Sequence, residues 1–294
     1  MPWERARALA RDSAGQPLPV VPRTLEAALG HALAGPLTAL TPPSPLAASA
    51  MDALLPAGTT VTPAVVGLAA AAGHDRLVVH RRPRVELLLL GEELPGTGPL
   101  LASWPAHHGA EVIGRRSVAG DPSSSRDAVR RSTADVVVTV GGTDTDTDTG
   151  TGAGTGARLL VDSVAVRPGH RMLLAGLPPA PGGRPRFLAG LPGDPTAAVA
   201  GMVTLVVPLL RRLGGHADPA PESYRTTTVQ ALSGHPHDTR LLPVRRVAHG
   251  VEPVPYDGPG RTLRGLARAH GLAVVPPGGV PAGTDVEVLA LPGA

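Results

Sequence analysis

The sequence predicts an α/β chain: a three-layer sandwich with a partial N-terminal segment before it and a small C-terminal β domain after it. Between Arg84 and Gly215, apolar runs such as Leu87 to Leu90 and Val136 to Val138 alternate with helical segments, as in a sheet covered on both faces. From residue 220 onward the apolar runs are short and separated by turn residues, the pattern of a small β unit. The 294 residues, 42% of them hydrophobic and 17% charged, suffice for one large domain or two ordinary ones. The expected divisions are a loose arm at 1–16, an N-terminal segment at 17–83, the α/β domain at 84–216 and the β domain at 220–294.

The elements follow in order. "PRTLEAALGHALAGPL" has helical spacing at Leu25, Ala28, Leu29 and Leu33, with Thr24 placed to cap it. The Pro-punctuated stretch that follows is expected to be extended or looped. "PAVVGLAAAAGHDRLVVHRR" reads as an Ala-rich helix stopped near Gly73 and then a strand. "RVELLLLG" is a buried strand, and "LASWPAHHGAEVIG" is a short helix running into a strand at Glu111 to Gly114. Asp121 before Pro122 opens a capped helix, and "ADVVVTVGG" is the central strand. "RLLVDSVAV" and "RMLLAG" pair across "RPGH". "FLAGLPGDPTAAVAGMVTLVVPLLRRLGG" is strand, tight turn and long helix, with a kink expected at Pro208.

Composition narrows the function. Without Cys there is no disulfide scaffold, thiolate metal site or cysteine nucleophile. The pI of 10.4 accompanies a net charge of only +3, because every basic residue is Arg and none is Lys. With 2% aromatic residues there is almost no base-stacking platform, so nucleic acid is not an expected partner. No long uninterrupted apolar run or signal-peptide core stands out, so no membrane partner is expected, and cytoplasm is the expected compartment. Asn is absent and Ile occurs once, at Ile113, the mark of a codon bias. His107 and His108, beside Pro105, read as surface residues.

Ligands of open α/β sheets sit beyond the carboxyl ends of the strands. Three turns fall there: Gly91–Glu92–Glu93, Gly141–Gly142 and Gly193–Asp194–Pro195. Glycines let backbone approach an anion, and Asp194 with Pro195 can open a helix whose first amides face outward. Each is equally the shape of a plain strand-to-loop turn. Asp194 cuts both ways, since its carboxylate suits a helix start but repels a phosphate. Glu92, Glu93 and the alternate Asp144, Asp146 and Asp148 offer oxygens suited to a hard cation, although Thr-Asp repeats are commonly solvated loop. Arg167, His170 and Arg171 around Gly169 are placed to neutralise an oxyanion, or form an ordinary basic turn.

The ordered set "TLEAALGHALAGPL", "SAMD", "RPRVELLLLGEEL", "GAEVIG", "DVVVTVGG", "VRPGHRMLLAG" and "GLPGDPTAAVAGMV", from about Pro19 to Gly215, resembles the MoeA family, the molybdopterin molybdenumtransferases related to the gephyrin E domain. The resemblance implies a molybdopterin-binding-like α/β domain that takes adenylylated molybdopterin and, with Mg²⁺, inserts molybdate and releases AMP, as a homodimer. It implies that Asp52 stands for the acidic residue of S-x-M-D-G, and Glu92 and Glu93 for the acidic pair of T-G-D-E-L. Gly141 and Gly142 match S-G-G, Arg167 and His170 take the lysine places of K-P-G-K around Gly169, and Gly193 to Pro195 match P-G-N-P. On this basis Asp52 and Glu93 are the catalytic candidates, Glu92 and Asp144 the metal ligands, and the glycine corners with Arg167, His170, Asp194 and Pro195 the substrate-binding set. The chain departs from the pattern where the family's covering domain follows S-x-M-D-G: here "ALLPAGTTVTP" leads almost directly to the next helix. An alternative expectation is therefore a catalytically inactive paralogue that binds pterin phosphate or serves as a scaffold; a third is an α/β protein for another phosphorylated small molecule.

Overall fold

The computed structural model describes residues 1–40, 53–91, 96–141, 155–218, 223–255 and 262–292. The first element corrects an expectation. Residues 1–16 are not a loose arm: helix α1 (Trp3–Ser13) buries Trp3, Ala6 and Ala10. Its apolar stripe is made of small alanines between arginines, so the spacing is correct while the hydrophobic signal is weak. The Trp3 indole N–H donates to Thr204 Oγ1 at 3.0 Å, and the Arg7 guanidinium lies 4.7 Å from the Trp3 ring centre.

A second correction concerns Leu25 to Leu33. Strand β1 (Val20–Thr24) ends where a helix was expected to start, and only a 3₁₀ turn (Glu26–Ala28) follows. Gly30 has φ +76° and its N–H donates to Val61 O at 2.8 Å, so the backbone finds its partners across the segment rather than along a helix. Leu25, Ala28 and Leu33 are nonetheless core, packed with Val61, Val65, Leu77 and Val79. Strands β2 (Leu37–Thr38) and β3 (Ala53–Leu55) pair antiparallel, Leu37 opposite Leu55 and Thr38 opposite Ala53. Helix α2 (Pro63–Ala71) is capped by the Thr62 side chain, which accepts from Val65 N, and β4 (Arg76–His80) returns antiparallel to β1.

The central sheet uses β5 (Arg84–Leu90), β6 (Glu111–Val118), β7 (Val136–Val140), β8 (Arg158–Asp162), β10 (Leu173–Ala180) and β11 (Arg184–Leu191), in the order β6-β5-β7-β11-β10-β8. The two-residue β9 (Val166–Arg167) lies between β8 and β10 in the chain. Strands β6, β5, β7 and β11 are parallel, and β10 and β8 extend the sheet antiparallel. Side chains alternate between two cores. Leu87 and Leu89 join Val136 and Val138 against α1, helix α3 (Thr97–His107) and the long helix 195–213. Leu88, Leu90 and Val137 face Ala128 and Val129 of helix α4 (Pro122–Arg131). The result is the expected helix–sheet–helix sandwich.

The long helix runs as α5 (Pro195–Gly201), a π turn (Met202–Val206) and α6 (Val207–Leu213). Pro208 has no N–H for the regular ladder, and the disturbance takes the form of this wider turn just before it. Its length and hydropathy would suit a membrane span, but 89% of its most apolar window is buried inside the protein, so it is a core helix. At the opposite end of the sheet Asp135, 1% exposed, accepts from Arg81 at 2.9 and 3.1 Å, Arg184 at 3.0 Å and Arg84 N at 2.8 Å. Together these bonds satisfy a buried carboxylate and tie β4, β5, β7 and β11 together.

The C-terminal unit is a sheet of β12 (Ser223–Thr227), β13 (Thr239–Val247), β14 (Gly250–Pro253), β15 (Gly271–Val275) and β16 (Asp285–Ala290), in the order β12-β16-β15-β13-β14. It also carries helix α7 (Thr262–Arg268), which the β-rich sequence pattern hides. β9 pairs parallel to β13, so one strand from the α/β region is also a strand of the β domain.

Candidate functional site: the glycine rim of the central sheet

The four parallel strands end at glycine turns that abut one another. Gly91 follows β5 with φ +73°, and Gly141 follows β7 with φ +85°. A Cβ on Gly91 would lie 3.8 Å from Gly120 Cα, beyond β6, and one on Gly193, beyond β11, would lie 3.7 Å from Gly141 Cα. A Cβ on Gly141 would fall 2.9 Å from Leu90 O, which makes this corner a glycine position twice over. Gly91, Gly120 and Gly193 are exposed, so the rim is open to a ligand. Gly120 is a corner that sequence reading missed; its signal is the Gly-Asp-Pro that ends β6 and opens α4, the same grammar as Gly193 to Pro195.

The rim works differently from the expected cradle of amides. Gly91 N donates to Val118 O at 3.0 Å and Gly141 N to Leu191 O at 2.9 Å, so these two N–H groups close the sheet. What they contribute is bare backbone surface. Asp194 caps α5, with Oδ1 accepting from Ala197 N at 2.9 Å, and Pro195 occupies the first helical position. In that first turn Thr196 is 4% exposed and its hydroxyl has no hydrogen-bond partner among the described residues; the Thr97 hydroxyl, at the start of α3, is buried in the same condition. Neither was singled out from sequence, and a Thr beside a Pro-opened helix is too common a pattern to flag one.

The Pro168–Gly169–His170 turn joins the rim from the side. Gly169 has φ +98°, and a Cβ there would lie 2.8 Å from Ala197 O, so the turn is pressed against the first turn of α5. The Arg167–Pro168 peptide is cis. Arg167 Nε donates to Asp238 Oδ2 at 2.8 Å, and its Nη1 donates to His170 Nδ1 at 2.9 Å. Burial first, and then the charges of Arg167 and Arg171, push the His170 pKa down, with Asp238 opposing; His170 is neutral at pH 7. Because Arg167 only donates, Nδ1 accepts and the ring proton stands on Nε2. Arg167 and His170 thus bring less positive charge than two lysines would.

Asp52, Glu92, Glu93, Gly142 and Asp144 lie outside the described residues. Among the described residues no group of three or more His, Asp or Glu is arranged to hold a metal ion. His108 corrects another expectation: it is 8% exposed, its ring 5.8 Å from that of Trp104, and burial pushes its pKa down to about 3. A cavity of about 750 Å³ opens between α3, α5 and α7, with Leu100, Trp104, Val199, Leu266 and His270 in its wall. None of Gly91, Gly141 or Gly193 lines it.

Comparison with known proteins matches residues 87–212 to the family "Probable molybdopterin binding domain" and residues 227–291 to "MoeA C-terminal region (domain IV)". A molybdopterin molybdenumtransferase from Nostoc sp. is 31% identical over 265 residues, covering 81% of this chain and 60% of the relative. One from Staphylococcus epidermidis is 26% identical over 262 residues, covering 81% of this chain and 61% of its own length. The chain therefore spans about three fifths of the curated relatives it matches. Among solved structures, a molybdenum cofactor biosynthesis protein from Pyrococcus furiosus superposes with TM-score 0.78 at 20% identity, covering 99% of both chains. A molybdopterin biosynthesis MoeA protein from Pyrococcus horikosii gives 0.78 at 18%, covering 100% of both. These two likenesses concern the fold alone. The sandwich, the β domain and the relatives of both agree, and the chain belongs to the MoeA family.

Proposed function

We propose that this chain acts in molybdenum cofactor biosynthesis as a molybdopterin molybdenumtransferase, receiving adenylylated molybdopterin, inserting molybdate and releasing AMP, in the cytoplasm and as a homodimer. The observation that carries the reading is the contiguous row of Gly120, Gly91, Gly141 and Gly193 at the carboxyl edge of the parallel strands. A flat pterin or a phosphate can approach the bare backbone of these glycines there. The Gly169 turn beside α5 supplies His170 as a neutral donor, and the unpartnered Thr196 hydroxyl supplies a second polar group. Mg²⁺ is the cofactor the family resemblance implies, with Glu92 and Asp144 as its proposed ligands. The described residues do not by themselves fit a metal ion. The roles proposed for Asp52 and Glu93 are polarising the reacting groups and holding them in line.

A second reading has its own support. Two rim amides are engaged in the sheet, and Arg167 is ion-paired. These favour a paralogue that binds pterin phosphate without turnover. Incubating the chain with adenylylated molybdopterin, Mg²⁺ and molybdate separates the two. AMP release supports the transferase. Calorimetric binding of adenylylated molybdopterin with no AMP released at high protein concentration supports the binder, and absence of both rejects the rim as a molybdopterin site.

A further inference from the structure

We propose that Asp238, carried by the C-terminal β domain, is the counter-ion that withholds Arg167 from an incoming oxyanion, so that the β domain sets the anion affinity of the rim. The proposal rests on reading the Arg167–His170 turn as an oxyanion contact.

The turn is built by two domains at once. Its entry strand β9 is paired to β13, Val166 opposite Thr239 and Arg167 opposite Arg240, and Thr239 N donates to Ala165 O at 3.1 Å. Its far side is pressed on α5 through Gly169. Asp238 is the residue immediately before β13, so the register of that pairing delivers its carboxylate to Arg167. The side chain of Asp238 is 16% exposed and that of Arg167 is 40% exposed, with 2.8 Å between Oδ2 and Nε.

His235 does not relieve Arg167 of this partner. Its Nδ1 is 3.4 Å from Asp238 Oδ2, but the same nitrogen accepts the backbone N–H of Asp238 at 3.1 Å, so it presents a lone pair toward this group rather than a proton. Arg167 thus balances a mostly buried carboxylate. An oxyanion that draws the guanidinium away takes that counter-charge from Asp238, and the loss is subtracted from every anion's affinity. His170, held through the same guanidinium, reports the pairing without any ligand.

The test is calorimetric titration of molybdate into the full chain and its variants. Asp238→Asn keeps the shape and removes the charge, and is expected to bind molybdate about fivefold more tightly. The gain should vanish in the Asp238→Asn/Arg167→Gln double variant, and Asp238→Glu should stay near wild type. Equal or weaker binding by Asp238→Asn overturns the proposal while leaving the rim reading intact. If no variant binds molybdate, the oxyanion reading of the turn falls and the proposal with it, and NMR titration of His170 without ligand then tests the Arg167–Asp238 pairing alone. Asp238 raises the His170 midpoint while Arg167 and Arg171 lower it, so the midpoint should fall in Asp238→Asn and rise in Arg167→Gln. A midpoint unmoved in both overturns the pairing. If Asp238→Asn does not fold, Arg167→Gln carries the same titration.

Discussion

Gly169 is where two functional segments meet at the cost of all side-chain volume. Replacing it with Ala puts a methyl 2.8 Å from Ala197 O at a φ of +98°. The variant is expected to lose about 1–3 kcal/mol of stability, read as a lower urea midpoint, and to push the turn off α5. Much of this residue-scale design was legible. The Gly corners, the Asp194 cap and the His170 turn all stand in the sequence at the positions where strands end. Two facts were not legible, because they depend on pairing across the fold. Gly91 and Gly141 direct their N–H groups at Val118 O and Leu191 O, and Arg167 meets a carboxylate from another domain. A local sequence window contains neither partner. Nor does the pair His107–His108 reveal which of its rings is buried beneath the helix.

At the scale of elements, α1 is the clearest lesson. Its stripe of Trp3, Ala6 and Ala10 packs on the π turn of the core helix, and Thr204 serves both sides: it accepts from the Trp3 indole and donates to Ala200 O at 2.6 Å. Thr204→Val keeps the volume and removes the hydroxyl, leaving the indole N–H buried without an acceptor. A loss of about 1–3 kcal/mol is expected in urea denaturation, with fluorescence of Trp3 following the same transition. The strands β5 and β7 were easy to read because both faces are covered, so Leu87 to Leu90 and Val136 to Val138 are all hydrophobic. The false helix at Leu25 to Leu33 came from the same signal applied too locally. Leu25 and Leu33 do face a core while Leu29 is exposed, and the segment reaches that core from a strand end, a single turn and two isolated bridges, with Ala32 opposite Thr60 and Leu33 opposite Val79.

On the scale of the whole molecule, the N-terminal segment and the α/β domain join around buried imidazoles. His216 is 4% exposed, hydrogen-bonded through Nδ1 to Thr60 Oγ1 at 2.9 Å, and burial with Arg211, His31, His80 and Arg82 pushes its pKa down to about 4. His108, pushed to about 3, faces His107, Arg211 and His216. Both folded values lie below the 6.5 of a free imidazole, so the unfolded chain binds more protons in between. Stability should therefore be complete above about pH 6.5 and fall as pH drops toward 4, by roughly 2–4 kcal/mol for each ring. Chemical denaturation at pH 7.5, 6 and 5 measures the slope, and His216→Gln should flatten it.

The β2–β3 ladder also has a consequence. It holds Thr38 and Ala53, fifteen positions apart in the chain, side by side. Such a closed stem is a splice point: a foreign module whose two ends lie close together can be grafted between them, leaving the strand pairing beneath undisturbed.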